Sequence, residues 1–517
     1  MLETLRHILR LFIIGRILVR YDALFPLEAL DLGLVVAWAV RILGGRPDKR
    51  FVGKRQGERL AAAMQELGPT FIKLGQLIST RPDLVGEPMA TDLAELRDQL
   101  KPFAPSEVRN AVETEFSAPL ESLFSSFQLE PIAAASIAQV HLAVTDDNRN
   151  VAVKVLRPGI ERAFQRDLAL FLWIADIAER TQPAIRRLRP VAVIQTLADI
   201  TAIEMDLRLE AAAASELKSN FLRDPRLEVP EIDWQRTARR VMTSSRVEGI
   251  SINDKDTMRA NGIDLSAVAV TLIQTFLEQV FRDGFFHADL HHGNLFVTSD
   301  GAIQVVDFGI MGRLDPRMRC FFAELLLAFL DSDYRRAAEL HLETGILTSD
   351  QSVESFAQAC RSIGEPILGL PANRISIGRL LGQLLEVTKT FSMETQPQLL
   401  MLQKTMVVVE GVARGLDPEL DIWKTARTVV EPWVQETLAP DARLRDSLHR
   451  AAGAAKRIPD LISHAEHAAA SLTSHGVLLH PDSAKAIAAA QARHRRPLNI
   501  LIGLVIALLA VALIHSA

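Results

Sequence analysis

Cysteine is nearly missing from this chain. Cys320 and Cys360 are the only two. They lie far apart with no metal-ligand spacing, which excludes a disulfide framework and points to a reduced compartment and two apolar, buried thiols. Aromatic residues are scarce, at 6% against 48% hydrophobic. The apolar content is therefore mainly Ala and Leu, and a mostly helical protein is expected. An excess of positive charge is absent too; the net charge of −5 argues against a bulk nucleic-acid binder. No flavin or dinucleotide fingerprint occurs. The 517 residues suffice for two or three domains with a full-sized core.

What is present is concentrated between Phe286 and Gly309. Two short apolar runs, Leu295–Val297 and 303–306, flank an Asp300-Gly301 pair, a strong hairpin-turn signal. The hairpin carries Asp289 and Asn294 before its first strand and Asp307 after its second. Two carboxylates and an amide oxygen are thereby gathered at one end of a small sheet. These are hard oxygen ligands that suit Mg²⁺ better than zinc. The spacing H-x-D-x-x-x-x-N followed by D-F-G is the phosphoryl-transfer pattern of kinase-like enzymes. In that chemistry Asp289 is the base or positioning group for an acceptor hydroxyl, and Asn294 and Asp307 hold Mg²⁺ against the phosphates of ATP. His287, His291 and His292 have no thiolate or fourth ligand spaced for zinc.

Upstream, Val151-Ala-Val-Lys154-Val155 reads as a strand with its valines on one face and Lys154 on the other. A lysine in an apolar strand needs a partner, and the kinase pattern supplies nucleotide phosphates and an acidic helix residue. The preceding hairpin, where a glycine-rich loop is usual, instead reads Ile132-Ala133-Ala134-Ala135-Ser136-Ile137-Ala138-Gln139-Val140. Alanine lets backbone approach phosphate but resists positive φ, so a stiffer nucleotide contact is expected. Residues 193–220 form a long helix or a pair bearing Glu204, Asp206 and Glu210. Spacing alone leaves open whether Glu204 or Glu210 pairs with Lys154. Helices are also expected over 56–100, with Gly68-Pro69 starting one that places Lys73 and Gln76 on one face. Others are expected over 160–180 and 266–283, and one opens at Pro316. No long activation segment and no Ala-Pro-Glu follow Asp307-Phe308-Gly309, which argues against a peptide substrate.

The ends carry membrane signals. Leu498 to Ile514 is uncharged and follows Arg493, His494, Arg495 and Arg496. At about 1.5 Å per residue it reaches the lower limit for a spanning helix, and the positive-inside rule keeps the main body cytoplasmic. Leu2 to Arg20 is a loose basic amphipathic helix, suited equally to an anionic membrane surface or to docking on the protein.

Lys73-Leu-Gly-Gln76, the Ala133–Ser136 loop before Ile-Ala-Gln-Val-His, Val-Ala-Val-Lys154, Glu204-Met-Asp206, His-Ala-Asp289 with Asn294, and Asp-Phe-Gly together resemble the UbiB/ADCK atypical kinase-like family. Gln396-Pro-Gln-Leu-Leu-Met-Leu-Gln-Lys-Thr and Asp421-Ile-Trp-Lys-Thr-Ala extend the likeness toward its bacterial members. The resemblance implies an α+β, two-lobe kinase-like fold with an N-terminal helical extension and a C-terminal transmembrane helix. The segments would be amphipathic N-terminal helices (1–45), a helical extension with the K-x-G-Q motif (46–125), an N-lobe (126–248), a helical C-lobe (249–440), a connector (441–497) and the span (498–515). It further implies that the K-x-G-Q helix packs over the site where a kinase would place its protein substrate. Lys73 and Gln76 then become site residues with Glu204 and Asp206 as polar partners, and Glu210 becomes the partner of Lys154. The implied function is a Mg²⁺-dependent ATP-binding kinase or ATPase of ubiquinone biosynthesis at a bacterial inner membrane. It would act with a membrane lipid or quinone precursor and with other proteins of that pathway. The alternatives are a small-molecule or lipid kinase and a nucleotide-sensing scaffold. The chain departs from the family at Leu290 and His292, where prolines are usual, at Ala134, where serine is common, and in showing one tail span where two are frequent.

Overall fold

Val151, Val153 and Val155 are buried on one face of Asn150–Leu156, and this alternation sets the first lobe. In the computed structural model that strand pairs antiparallel with Ala138–Thr145 on one side and Val241–Ser245 on the other. Phe124–Phe127 and Ala133–Ala134 complete a five-stranded sheet. The valine face packs on Val108 and Val112 of the helix Pro105–Phe116. The lobe thus takes in this helix, which precedes position 126, and the strand Phe124–Phe127 that straddles it. Its opposite face presents Lys154, in register with Val140 and Met242.

The structure describes residues 2–23, 48–51, 53–79, 85–94, 96, 100–181, 189–347, 351–368, 376–390 and 397–438. Two units divide the chain, Met1–Val434 and Gln435–Ala517.

Below the first sheet the architecture is helical. Leu265–Glu278, Pro316–Leu330, Tyr334–Glu343, Val353–Leu368, Ile377–Thr390 and Pro397–Leu416 enclose a core in which Phe276, Phe286 and Phe356 are fully buried. Burial of each such ring contributes roughly 1.5–3 kcal/mol. A small sheet, ordered Leu227–Glu228, Ile303–Val305, Leu295–Val297, Ile250–Ser251, lies against this core. Its central hairpin has Ile303 opposite Val297 and Val305 opposite Leu295. Gly301 makes the turn at φ 88°, a left-handed conformation that glycine adopts without strain. A two-stranded ribbon, Phe285–His287 with Met311–Arg313, brackets the hairpin in sequence.

The extension helices Gln56–Leu67, Pro69–Ser79 and Glu87–Ala94 pack with Ile160–Thr181. The N-terminal helix Leu2–Arg20 joins them. Ile14, Leu18 and Val19 are buried, and Arg10 forms a bidentate pair with buried Asp167, at 2.9 Å for each bond. That ion pair lies on its inward side, and Phe12 is exposed.

The expected fold needs one correction. No helix among the described residues is long and apolar enough to cross a membrane. The stretch 498–515 expected to do so lies outside them, and the described residues form the α+β kinase-like arrangement with no transmembrane helix among them.

The helical lobe also carries a pH liability. His341 lies between the rings of Phe321 and Phe356, with centroids 4.9 and 4.8 Å away, and its Nδ1–H donates to the Ala337 carbonyl at 2.7 Å. Burial pushes its pKa down to about 4. The unfolded chain takes up this proton near pH 6.5 and the folded chain only near 4, so stability falls as pH drops between these values. The loss approaches about 3 kcal/mol at the acid end. Replacing His341 with Leu flattens this limb; urea unfolding midpoints at pH 7.5 and 5 measure it, and an unchanged pH difference in the variant counts against it.

Candidate active site

Two strands, Asn150–Leu156 and Ile303–Val305, and one helix deliver the charged centre. Lys154 Nζ donates to Glu210 Oε1 at 2.7 Å and to Asp307 Oδ1 at 2.9 Å. Glu210 comes from the first turn of Leu207–Asn220, and Asp206 caps that helix by accepting from the Arg208 N–H at 3.2 Å. Such a cap stabilises a helix start by about 1 kcal/mol, and here it fixes Glu210 one turn later. Asp307 takes a left-handed backbone, φ 64°, uncommon for a residue other than glycine and characteristic of functional turns. Phe308 is buried beside the His287 ring, 5.7 Å between centroids, which holds that turn in place. Burial opposes the ammonium of Lys154, but the Asp307 and Glu210 carboxylates outweigh it and raise its pKa. Lys154 in turn holds Asp307 well below the usual carboxylate range. Glu210, more deeply buried, is pushed up by desolvation against the pull of Lys154.

The loop from His287 to Asn294 is held by its own polar groups. His287 is fully buried, and burial lowers its pKa. Its Nδ1 accepts the Asp289 N–H at 3.1 Å and its Nε2–H donates to the Val306 carbonyl at 3.2 Å. One neutral imidazole thereby ties the residue bearing the candidate base to the strand end leading into Asp307. The Asn294 amide donates to the Asp289 carbonyl at 3.0 Å, and the Val306 N–H donates to the Asn294 carbonyl at 3.1 Å. A further tether comes from far along the chain: the Thr405 hydroxyl, on Pro397–Leu416, lies 2.9 Å from the Ala288 carbonyl.

The alanine hairpin lies in the same sheet as Lys154, with Val140 opposite both Ala133 and Lys154. Ala135 N–H donates to the Ala138 carbonyl at 2.8 Å and Ile132 N–H to that of Val140 at 2.9 Å. Ile132 and Ala133 are exposed, Ala134, Ala135 and Val140 half-buried, and Ser136, Ile137, Ala138 and Gln139 buried. The Gln139 side chain is committed inward. Its Oε1 accepts the Phe103 N–H at 3.1 Å, and its amide nitrogen lies 3.0 Å from His141 Nε2. Arg157 stacks on Phe103, 5.2 Å from the ring centroid, and donates to the Lys101 carbonyl at 2.9 Å. Side chains therefore brace the loop from behind and leave Ile132–Ala135 as its outward surface.

Glu204 does not meet Lys154. It pairs with Lys73, at 2.9 and 3.0 Å to its two oxygens, both side chains largely buried. Lys73 still lies near enough to add to the depression of the Asp307 pKa. Asp206 is engaged by Arg208, Nη2 to Oδ2 2.6 Å, as a cap rather than a partner of Lys73. Gln76 is half-buried on the Lys73 helix, its carbonyl accepting the Ser79 hydroxyl at 2.7 Å.

The donor set fits Mg²⁺. The Asn294 amide nitrogen is spent on Asp289, which leaves Oδ1 as the side chain's acceptor. Asp307 is held ionised by Lys154 and remains half exposed. Two hard oxygens with substrate phosphate and water match the way Mg²⁺ is bound in kinase-like sites. Among the described residues no group of three or more His, Cys, Asp or Glu is placed to hold a metal. Sequence spacing did not single out the bracing roles of His287 and Thr405. The first was masked by the zinc question, and the second depends on a contact between residues far apart in the chain.

A family profile described as the ABC1 atypical kinase-like domain matches residues 95–341, and one described as the UbiB helical domain matches residues 360–421. A protein of Marinobacter nauticus named "Probable protein kinase UbiB" is 39% identical over 84% of this chain and 80% of its own length. The protein of that name from Pseudomonas paraeruginosa is 40% identical over 84% of this chain and 83% of its own length. A solved Mycobacterium tuberculosis protein in complex with erythromycin is alike at TM-score 0.48 and 23% identity, covering 72% of this chain and 94% of that one. The sequence matches span both the charged centre and the helical segment that tethers Ala288, and the chain belongs to the UbiB family of ABC1 atypical kinase-like proteins.

Proposed function

We propose that the protein is a Mg²⁺-dependent ATP-consuming enzyme of ubiquinone biosynthesis whose second partner is an apolar phenolic lipid rather than a peptide. The observation that carries the reading is the Lys154–Glu210–Asp307 centre facing Asp289 and Asn294. Lys154 is the cation for nucleotide phosphates, and Asp307 with Asn294 would hold Mg²⁺, which when bound offsets phosphate charge. Asp289 receives the proton of the attacking oxygen. Family membership supports the quinone pathway. The chain passes from Gly309 through Met311–Arg313 directly into Pro316–Leu330, which leaves no segment to hold a peptide, and this supports a lipid or water as acceptor.

The test is the fate of the terminal phosphate of labelled ATP, incubated with the full chain in detergent, with and without a prenylated phenol. Free phosphate, released faster when the phenol is present, is the expected product. Label on the phenol instead establishes the lipid-kinase alternative. Equal release with and without phenol contradicts the lipid partner.

A further inference from the structure

The imidazole of His291 stands in a fixed pose that the charged centre does not account for. Its Nδ1 accepts the Gly293 N–H at 2.9 Å, so in the neutral ring the proton resides on Nε2. The ring lies where a side chain at position 293 would be: a Cβ on Gly293 would come within 2.7 Å of His291 Cε1 and 2.9 Å of Nδ1. The absence of a side chain at Gly293 and its N–H together aim Nε2–H at the Asp289 carboxylate, 3.8 Å from Oδ2. That separation is too long for a direct hydrogen bond. It is the span that one oxygen bridges when it accepts from Nε2–H and donates to Oδ2, each at about 2.8 Å. Both side chains are partly exposed, so the oxygen can enter from solvent. The Asp289 backbone cannot drift from this arrangement, because His287 holds its N–H and Asn294 its carbonyl.

We propose that His291 is a further catalytic residue: its Nε2–H holds the attacking oxygen against Asp289. This rests on the ATP-consuming reading of the same site. With its proton directed to Asp289 and one lone pair held by His291, the oxygen has its other lone pair free for phosphorus. As the new P–O bond forms, the bond between the terminal phosphorus and ADP breaks. ADP leaves with the electron pair, and the proton of the attacking oxygen passes to Asp289.

Two variants separate this role from a purely structural one. His291→Asn keeps an acceptor where Nδ1 receives the Gly293 N–H but has no donor where Nε2–H stood. His291→Gln keeps a donor near Nε2 and loses the close acceptor. Steady-state ATP hydrolysis by the full chain, with affinity for a fluorescent ADP as an independent readout, gives the answer. The expected result is kcat lowered about 10²-fold in His291→Asn, within about 10-fold of wild type in His291→Gln, and KM for ATP and ADP affinity unchanged in both. Near-normal kcat in His291→Asn with loss in His291→Gln overturns the inference and makes His291 a loop brace. Loss of ADP affinity in both overturns it as well. If wild type binds ADP and releases no phosphate, the reading on which this rests is what fails, and the inference falls with it.

Discussion

Replacing Asp307 with Asn lowers phosphate release about 10²–10³-fold while the protein stays folded. The residue stands at the meeting of three demands. Its carboxylate accepts from Lys154 at 2.9 Å, it would offer the hard anionic oxygen of the proposed Mg²⁺ site, and its backbone is left-handed. Asn is one of the few residues that tolerates that backbone, so Phe308 keeps its place against His287. What is lost is the negative charge. Lys154 retains Glu210 at 2.7 Å, so its ammonium is not left unpaired in the interior. Fold and catalysis are thereby separated: thermal unfolding in the absence of nucleotide is expected within a few degrees of wild type. Full turnover in the variant at saturating Mg²⁺ would remove Asp307 from the reaction.

Lys154→Met acts on binding instead. Methionine fills the strand position between Val140 and Met242 with similar length and no charge. Nucleotide phosphates lose their one cation from that strand, a loss of about 2–5 kcal/mol for a desolvated charged partner, or 30-fold or more in affinity. The variant also strands two carboxylates. Glu210 is already raised by burial in the wild type, with Lys154 pulling the other way. With that pull gone and Asp307 still near, Glu210 takes up a proton at higher pH. A carboxyl whose folded pKa lies above its unfolded value binds its proton preferentially in the folded state. Stability is therefore present at low pH and lost as pH rises through the folded pKa. Melting temperatures from pH 5 to 8 should fall more steeply in Lys154→Met than in wild type; parallel curves would show that Glu210 does not titrate there.

Much of this site was legible in the sequence, because its residues sit on elements with strong local signals. The Asp300-Gly301 turn fixed the hairpin, the valine alternation put Lys154 on its own face, and Pro316 opened its helix with Asp315 accepting from Arg317 and Met318 N–H groups. Less legible were the strands Leu227–Glu228, Ile250–Ser251, Phe285–His287 and Met311–Arg313, which are too short for periodicity and exist through their partners. The allocation of acids was likewise a tertiary matter. Glu204 and Glu210 look alike in sequence, and the break between Pro190–Glu204 and Leu207–Asn220, capped by Asp206, sends one to Lys73 and the other to Lys154. The N-terminal helix reads as only loosely amphipathic, and the pairing of Arg10 with Asp167, distant in sequence, could not be foreseen. Nor did composition reveal that Gln139, on the strand just after the alanine loop, serves Phe103 and His141 rather than facing outward.

Lys154, Asp307 and Asn294 are proposed to form a Mg²⁺–nucleotide site. Titration calorimetry of ATP into the full chain, with and without Mg²⁺, alongside Lys154→Met and Asp307→Asn, tests it most directly. One site per chain is expected, tightened about 10-fold or more by Mg²⁺ in the wild type. The Mg²⁺ effect should vanish in Asp307→Asn, and affinity should fall at least 30-fold in Lys154→Met. Equal ATP affinity in wild type and Lys154→Met, or binding indifferent to Mg²⁺, would contradict it.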